Sequence, residues 1–573
     1  MDHLALDDGS THDVSDWEAA AAAVLRKARR LDDDAPDSDV WAKLTRTTLD
    51  GIAVSPLGTP GLLDDVTTAG RPLRQAAWDV RAQLGVVDPT ADNASLLVDL
   101  ENGASSLWLT LSDEVDLAVV LADVLLDAAP VVLEAPTWTE RAARAFLEVL
   151  GDTTPTPGTN LGADPIGAEV RGVAADDSLV AVAELARDAG VLGVVVDATA
   201  VHDLGASDAQ ELGYSLAVGA AYLRRLTAAG MDVDAAAGLV EFRYAATDEQ
   251  FPTIAKLRAA RRLWARVVEL SGGEAREQRQ HVVTSRPMMS AYDPWVNMLR
   301  TTVASFAAGV GGADAVTVLP FDVPLGHSDA FARRIARNTS SLLIDESHVA
   351  AVTDPAGGAY AVEKLTDDLA QAGWAELGRI EESGGIRKAL ADGSLHARIE
   401  ETVAAREKAV ARRTRPLTGL SEFPHLHETI PERQPDPTAP DVRRYGASFE
   451  ALRDEPAATP VFLATMGTIA SYTARATFAG NLLAAGGVDV VPAGPTDGVD
   501  QVLAAYDGQP VVCLVGHDRT YGEWGAELVT ALRGAGASWV IVAGKPDDLG
   551  VDDSCAMGVD ALDFLRRTKE KLS

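Results

Sequence analysis

The sequence predicts an α/β protein with two successive parallel-sheet domains: a (β/α)8 TIM barrel, then a smaller doubly wound domain of the flavodoxin-like kind. Between about residues 40 and 400, short β-rich runs alternate with amphipathic helices. Eight strands with helical crossovers fit a closed barrel better than an open sheet. From Pro460 the alternation resumes over shorter steps, and a chain of 573 residues is long enough for both domains.

The first 39 residues are predicted to form an N-terminal arm that carries one amphipathic helix. Ser15 followed by Glu18 is the pattern of a capping box, and it precedes an apolar stripe at helical spacing. A helix outside the main body packs either within its own domain or on a partner. The stripe consists of Trp17, Ala21, Val24 and Leu25.

The barrel is assigned to residues 40–411, including the helices that follow its last strand. Residues 254–270 carry a clear apolar stripe at helical spacing and are one example of the predicted crossover helices. The strand candidates are short and mostly apolar, as expected for strands buried on both faces. They are residues 52–57 (IAVSPL), 106–111 (SLWLTL), 130–135 (PVVLEA), 159–164 (TNLGAD), 192–198 (LGVVVDA), 239–245 (LVEFRYA), 281–285 (HVVTS) and 315–319 (AVTVL).

The most strongly specified unit spans residues 293–322. Asp293 is predicted to cap a helix whose first residue is Pro294, and Gly309 is predicted to release that helix in a left-handed conformation. Residues 315–319 then form a buried strand. The helix carries one stripe of larger side chains, namely Trp295, Met298, Leu299, Thr302, Val303 and Phe306.

Residues 412–457 are rich in Pro and charge with little periodicity, which indicates an interdomain linker. Residues 458–573 then alternate between strand and helix at the spacing of a small doubly wound domain. In such a sheet a ligand lies over the carboxyl ends of the strands. Here that edge includes the loops after Met466-Gly467 and after Val515-Gly516.

The composition excludes several classes of function. A net charge of −35 argues against a broad surface for nucleic acid or anionic membrane. The absence of a signal peptide and of a long apolar run predicts a cytoplasmic protein. Cys513 and Cys555 are expected to be structural thiols, and the pair His425 and His427 lacks a third ligand, so no metal site is predicted.

Common catalytic and nucleotide-binding motifs are missing. Gly309, Gly311 and Gly312 follow a helix and precede a strand, whereas a dinucleotide loop requires the reverse order. The sequence contains no P-loop, no G-x-S-x-G elbow and no H-E-x-x-H helix. General hydrolase and nucleotidase functions are therefore not supported.

Several long runs resemble the acyl-CoA mutase family, and within it the small (beta) subunits of methylmalonyl-CoA mutases. The resemblance covers roughly residues 15–570. It implies a substrate barrel followed by a cobalamin-type domain, and a homologous catalytic large subunit as partner. The runs are YDPWVNMLRTTVASFAAGVGGADAVTVLPFD, DAFARRIARNTSSLLIDESHVAAVTDPAGGAYAVEKLTDDLA, IAKLRAARRLW and RPLTGLSEFPHLHE.

The resemblance also identifies positions where cobalamin chemistry would be lost. In the family's catalytic subunit, the first strand of the cobalamin domain leads into D-x-H-x-x-G, whose histidine binds cobalt. At the matching positions this chain has Ile469, Ser471 and Ala474. A serine hydroxyl does not replace imidazole at cobalt, and the carboxylate that orients the ligand is also lost. His517 stands in a partly similar run after the third strand, where neither the preceding Asp nor the following Gly is kept.

Two substrate-side positions in the barrel also depart from the catalytic pattern. After the matched Trp78 and Arg81, Gln83 stands where the family has an active-site tyrosine. Ala200 stands where the family has the histidine that contacts the thioester carbonyl, while His202 is two positions away. In a further loop, Thr284 and Ser285 match, whereas Arg286 and Pro287 replace Gly-Trp.

The resemblance and the replaced positions together imply a non-catalytic small subunit of a heterodimeric, adenosylcobalamin-dependent methylmalonyl-CoA mutase, which interconverts methylmalonyl-CoA and succinyl-CoA in propionyl-CoA metabolism. The resemblance implies that the large subunit binds the cofactor and the acyl-CoA, and that the arm reaches onto it. Two alternatives stay open. One is a free-standing acyl-CoA mutase with an atypical cobalamin site, and the other is a CoA-binding or chaperone module.

Overall fold

The protein contains a closed barrel of eight parallel strands, as predicted. The computed structural model describes residues 12–274, 277–545 and 548–572. Each barrel strand pairs with its neighbour in chain order, and the eighth pairs with the first, which closes the ring. The strands are β1 Asp79–Gly85, β2 Ser106–Thr110, β3 Val131–Glu134, β4 Asn160–Ala163, β5 Leu192–Asp197, β6 Val240–Ala246, β7 Arg279–Thr284 and β8 Ala315–Thr317.

Helices surround the barrel, precede it and follow it. The helices from Pro89–Glu101 to Ala330–Ser341 connect or flank successive barrel strands, and those from Tyr360–Glu382 to Ser394–Ala411 follow the barrel. The first sixteen are α1 Val14–Lys27, α2 Val40–Leu44, α3 Pro89–Glu101, α4 Leu117–Val120, α5 Thr139–Leu150, α6 Pro165–Val170, α7 Leu179–Ala189, α8 Thr199–Asp203, α9 Asp208–Ala228, α10 Val233–Ala237, α11 Gln250–Leu270, α12 Val296–Val310, α13 Ala330–Ser341, α14 Tyr360–Glu382, α15 Ile386–Ala391 and α16 Ser394–Ala411.

The predicted first barrel strand is wrong. Residues 53–54 form a short antiparallel pair with residues 46–47 outside the barrel. The first barrel strand is β1, with the sequence DVRAQLG, which pairs with β8 and β2. Its inward-facing positions hold Arg81 and Gln83, so the strand lacks the apolar run by which the other seven were identified.

The start of α12 also differs from the prediction. Asp293 has a φ of +46°, which is unlike the extended backbone of an N-cap, and α12 begins at Val296. The predicted stripe of larger side chains faces outward in part, because Trp295 is 45% exposed and Leu299 is 68% exposed. The buried side of α12 is lined by small and polar residues, including Asn297, Arg300, Thr301, Ala304 and Ser305.

Gly309 lies inside α12 and serves close packing. A methyl group at this position would strike the indole ring of Trp78, so the glycine lets the helix approach β1. The left-handed glycine after the helix is Gly312, with a φ of +85°. The predicted release of the helix therefore occurs three residues later.

The N-terminal helices pack on each other. Asp13 caps α1 and forms a capping box with Asp16, so the box lies two residues before the predicted one at Ser15. Trp17 on α1 meets Trp41 on α2 at a centroid distance of 4.6 Å. Their small buried cluster is made of residues between positions 17 and 44.

The second domain is a five-stranded parallel sheet in the order β10-β9-β11-β12-β13. This is the flavodoxin-like order, in which the chain crosses from the first strand to either side. A further helix, α17 Ala447–Asp454, lies within the predicted linker. The remaining elements are β9 Val461–Thr465, α18 Ile469–Ala485, β10 Val490–Pro492, α19 Val499–Ala505, β11 Val511–Val515, α20 Asp518–Thr520, α21 Ala526–Gly534, β12 Trp539–Ala543, β13 Asp553–Cys555 and α22 Ala561–Leu572.

No helix within residues 12–274, 277–545 and 548–572 combines the length and the apolar character that crossing a bilayer requires.

Gly162→Ala is expected to lower the free energy of unfolding by about 3 kcal/mol or more. Gly162 in β4 has a φ of +81°, and an added methyl would overlap the carbonyl oxygen of Leu133 in β3. Gly190→Ala is the matched control, because Gly190 has a φ of +69° and open space around it. The control should cost about 1 kcal/mol. Equal losses in urea unfolding would show that the close approach of β3 and β4 is not the cause.

Candidate functional site

A cavity of about 490 Å³ lies at the carboxyl-terminal mouth of the barrel. Active sites of TIM barrels lie at this end of the strands. The cavity is lined by side chains from several barrel strands and, on one side, by residues 437–441 of the predicted linker. The site is therefore built from segments that are distant in sequence.

The linker covers part of the mouth. Thr438 lies so close to Gly85, at the end of β1, that a methyl group on this glycine would overlap its side chain. Four residues before Thr438 in the linker, the Gln434 carbonyl accepts a hydrogen bond of 2.7 Å from the His327 amide. Arg433 donates to Asp322 at 2.6 Å. These contacts hold the linker against the barrel.

Below the cavity, the barrel interior is filled by a layer of charged and polar side chains. Arg81 donates to Glu241 at 2.8 Å and to Ser106 at 3.0 Å. Arg279 donates to the other oxygen of Glu241 at 3.1 Å. Burial disfavours the Glu241 carboxylate, but the two arginines outweigh it and lower the pKa of Glu241.

A second layer lies between this one and the cavity. Arg243 lies over the Trp108 ring with its Cζ 3.9 Å from the ring centroid, and its Nε is 3.3 Å from His281 Nδ1. His281 Nε2 is 2.8 Å from Thr317 Oγ1. Burial and the neighbouring Arg81 and Arg243 lower the pKa of His281, so its ring is neutral. Trp108 and Arg243 thus form the floor of the cavity.

Part of the cavity wall is formed by a network of ion pairs. Arg171 contacts Asp197 and Asp203, each at 3.0 Å, and Arg243 contacts Glu134 at 2.8 Å. Burial opposes ionisation of Asp197, but Arg171 and Arg243 outweigh it and lower its pKa to about 2. The Asp197 carboxylate is therefore ionised at neutral pH.

The two predicted substrate-side positions both line the cavity. Gln83 and Ala200 face it from β1 and α8. His202 lies elsewhere, because it is buried with its Nε2 2.7 Å from Ser285 Oγ and its Nδ1 3.3 Å from Glu211. This histidine therefore belongs to the packing between α8 and α9. Whether Gln83 and Ala200 mark a lost active site stays a prediction.

Sequence reasoning missed most of the charged residues around the cavity. Glu134, Asp197 and Arg243 lie on three separate strands, whereas Arg286 was identified from the resemblance as a replaced position. One sequence feature could have identified them. In strands that are otherwise apolar, a polar residue at every second position faces the barrel interior, as Glu241 and Arg243 do in β6.

The predicted cobalt-ligand positions lie in the second domain. Ile469, Ser471 and Ala474 form the first turns of α18, and Ile469 is 62% exposed. Ser471 Oγ is 2.9 Å from Thr468 Oγ1. His517 is exposed on the loop after β11, which pairs with β9, so the two loops are neighbours at the same sheet edge.

Asp164→Asn is expected to reduce the pH dependence of stability. Burial raises the pKa of Asp164 to about 7, against hydrogen bonds from Tyr222 and two backbone amides. Between pH 4 and 7 the folded chain holds a proton that the unfolded chain has released. Stability therefore falls as the pH rises through this window, by about 2 kcal/mol between pH 5 and 7.

Urea unfolding at both pH values tests this prediction. The wild type should lose more stability between them than the Asp164→Asn variant, whereas Asp188→Asn, an exposed control, should behave as the wild type. If Asp164→Asn retains the full pH dependence, Asp164 is not the group responsible.

The fold and the site define a barrel protein with a flavodoxin-like second domain, whose barrel axis is filled by side chains. The family model described as methylmalonyl-CoA mutase matches residues 189–485. The chain is 44% identical to the methylmalonyl-CoA mutase small subunit of Streptomyces virginiae over 98% of this chain and 97% of the relative. This chain belongs to the methylmalonyl-CoA mutase family.

Other relatives carry similar names. The chain is 40% identical to a probable methylmalonyl-CoA mutase small subunit of Mycobacterium bovis, over 93% of this chain and 92% of the relative. It is 34% identical to the small subunit of Propionibacterium freudenreichii subsp. shermanii, over 97% of this chain and 94% of the relative. The resemblance stated from the sequence is therefore confirmed.

The residues present do not fit the adenosylcobalamin that this family implies. At the position that the resemblance assigns to the cobalt ligand, Ser471 in the first turn of α18 is hydrogen-bonded to Thr468, and a hydroxyl is a poor substitute for imidazole. His517 on the neighbouring loop is followed by Asp518 and Arg519, and Arg475 pairs with Asp518 at that point. Among the described residues, no group of three or more His, Cys, Asp or Glu is arranged to hold a metal ion.

Proposed function

We propose that this chain is the non-catalytic small subunit of a heterodimeric methylmalonyl-CoA mutase of propionyl-CoA metabolism. The observation that carries the proposal is the filled barrel axis. An acyl-CoA threaded along the axis would have to displace the Arg81–Glu241 pair and the Trp108–Arg243 stack, which are buried and hydrogen-bonded. Breaking such buried pairs is costly.

The proposal assigns adenosylcobalamin and the acyl-CoA to the large subunit, in a complex that we place in the cytoplasm. It is supported by the serine hydroxyl of Ser471 at the predicted cobalt-ligand position, and by the small-subunit names of the relatives. The role of this chain is then to fold like its partner, bind it and stabilise the complex.

We further propose that the N-terminal arm lies on the large subunit. The buried cluster of α1 and α2 is made of residues 17–44, and Val24 on α1 is 67% exposed. A chain that lacks residues 1–44 should keep its barrel but bind the large subunit at least about tenfold more weakly. Circular dichroism serves as the folding control. Unchanged affinity for the large subunit would remove the arm from the interface.

Co-expression with the homologous large subunit tests the main proposal. Native mass spectrometry should find a 1:1 complex, and that complex should isomerise methylmalonyl-CoA to succinyl-CoA. The isolated chain should show no turnover. Turnover by the isolated chain with added adenosylcobalamin would instead establish a free-standing mutase.

A further inference from the structure

The cavity at the barrel mouth contains polar groups that the protein itself leaves unpaired. Thr110 is 9% exposed, and its hydroxyl has no hydrogen-bond partner although it is buried against the cavity. A buried hydroxyl without a partner costs free energy, so the Thr110 hydroxyl is free to bond to a ligand in the cavity.

Arg286 is the second such group. Its Nη1 donates to Asp203 at 3.3 Å, while among the described residues its other nitrogens have no partner. Burial lowers the pKa of Arg286 despite the neighbouring Asp203, as expected for a cation with too little compensating charge. The guanidinium therefore offers donors to an anion from the cavity wall.

Gln83 completes a set of three around Trp108. Its side-chain amide has no hydrogen-bond partner in the part of the chain that the structure describes, and it faces the cavity beside Trp108, its cross-strand neighbour. Thr110 follows Trp108 by two residues on the same strand face, and the Arg286 Cζ is 5.8 Å from the Trp108 ring. The three unpaired groups thus all neighbour Trp108 and line the cavity.

The carboxylates that line the cavity do not compete for Arg286. Glu134 accepts from Arg243 and from Trp108 Nε1, and Asp197 accepts from Arg171. Asp164 accepts from Tyr222 and from the Gly167 amide. Asp441 is exposed at the rim.

The remaining wall is apolar, with Val170, Val195 and Leu204 among its residues. We propose that this cavity binds a short-chain aliphatic carboxylate, with the carboxylate on Arg286 and the hydroxyl of Thr110, and the aliphatic part on the apolar wall. The carboxylate would accept hydrogen bonds from the guanidinium and the hydroxyl, while the Gln83 amide can also donate. A volume of about 490 Å³ accommodates a ligand of this size. No acyl-CoA and no catalytic step are involved, so the proposal is independent of the proposed function.

Calorimetry of the full-length chain with butyrate, and with butyramide as its uncharged isostere, tests the proposal. Butyrate should bind saturably at 1:1, and butyramide should bind at least about tenfold more weakly. Arg286→Gln should weaken butyrate binding about 10- to 100-fold, because a charge-assisted hydrogen bond is lost. Arg334→Gln is the charge-matched control, since Arg334 is exposed on α13.

Thr110→Val keeps the proposal testable if the arginine variant does not fold. Valine has the same shape without the unpaired hydroxyl, so the ligand-free variant should melt at a higher temperature than the wild type while binding butyrate several-fold more weakly. Absence of saturable butyrate binding, or equal binding of butyrate and butyramide, would overturn the proposal. Equally tight binding of inorganic phosphate would show a general anion site instead of a carboxylate site.

Discussion

Replacing Glu241 with alanine is expected to lower the free energy of unfolding by about 3 to 5 kcal/mol. The variant leaves the Arg81 guanidinium buried without its carboxylate and takes one of two acidic partners from Arg279. Urea unfolding measures the loss. The result would establish that the charged layer is a structural filling of the barrel axis.

Glu381→Ala is the control for this experiment. Glu381 pairs with Arg224 at the surface, where their side chains are 34% and 62% exposed, respectively. Its removal should cost at most about 1 kcal/mol. If Glu241→Ala costs no more than this control, then water or mobile side chains occupy the barrel axis, and the charged layer does not exclude a threaded acyl-CoA.

Trp108→Ala is expected to cost about 3 to 5 kcal/mol, because it removes a large buried ring from the cavity floor. Trp108→Phe should cost about 1 to 2 kcal/mol, since it keeps the packing under Arg243 and loses the hydrogen bond of 2.8 Å to Glu134. Neither variant should gain binding of acyl-CoA, because the Arg81–Glu241 layer below stays in place. Acyl-CoA binding by Trp108→Ala would show that the indole alone closes the barrel.

Seven of the eight barrel strands could be predicted because their buried faces produce short apolar runs between helices. The remaining strand, β1, could not be predicted, because its inward positions hold the polar side chains Arg81 and Gln83, which break the apolar pattern. The orientation of α12 could not be predicted for a related reason. Its exposed face holds Trp295 and Leu299, while the buried face is made of small and polar residues that fit against Trp78.

The cavity lay beyond sequence reasoning because it depends on register between distant segments. Gln83 and Ala200 were identified by resemblance, and both line the cavity. Their charged surroundings follow from the pairing of neighbouring strands, such as Thr110 opposite Glu134 and Asp197 opposite Arg243. Thr438 covers part of the cavity mouth. It lies in a linker without periodicity, so only tertiary contacts determine where the linker runs.

The cobalamin content of the purified complex tests whether this chain binds the cofactor. Ultraviolet–visible spectroscopy of the 1:1 complex, reconstituted with adenosylcobalamin, should find one cobalamin per pair of chains, and the isolated small chain treated in the same way should retain none. Stoichiometric cobalamin on the isolated chain, with the spectrum of a histidine-ligated cobalt, would show that this chain binds the cofactor itself and is not the non-catalytic subunit.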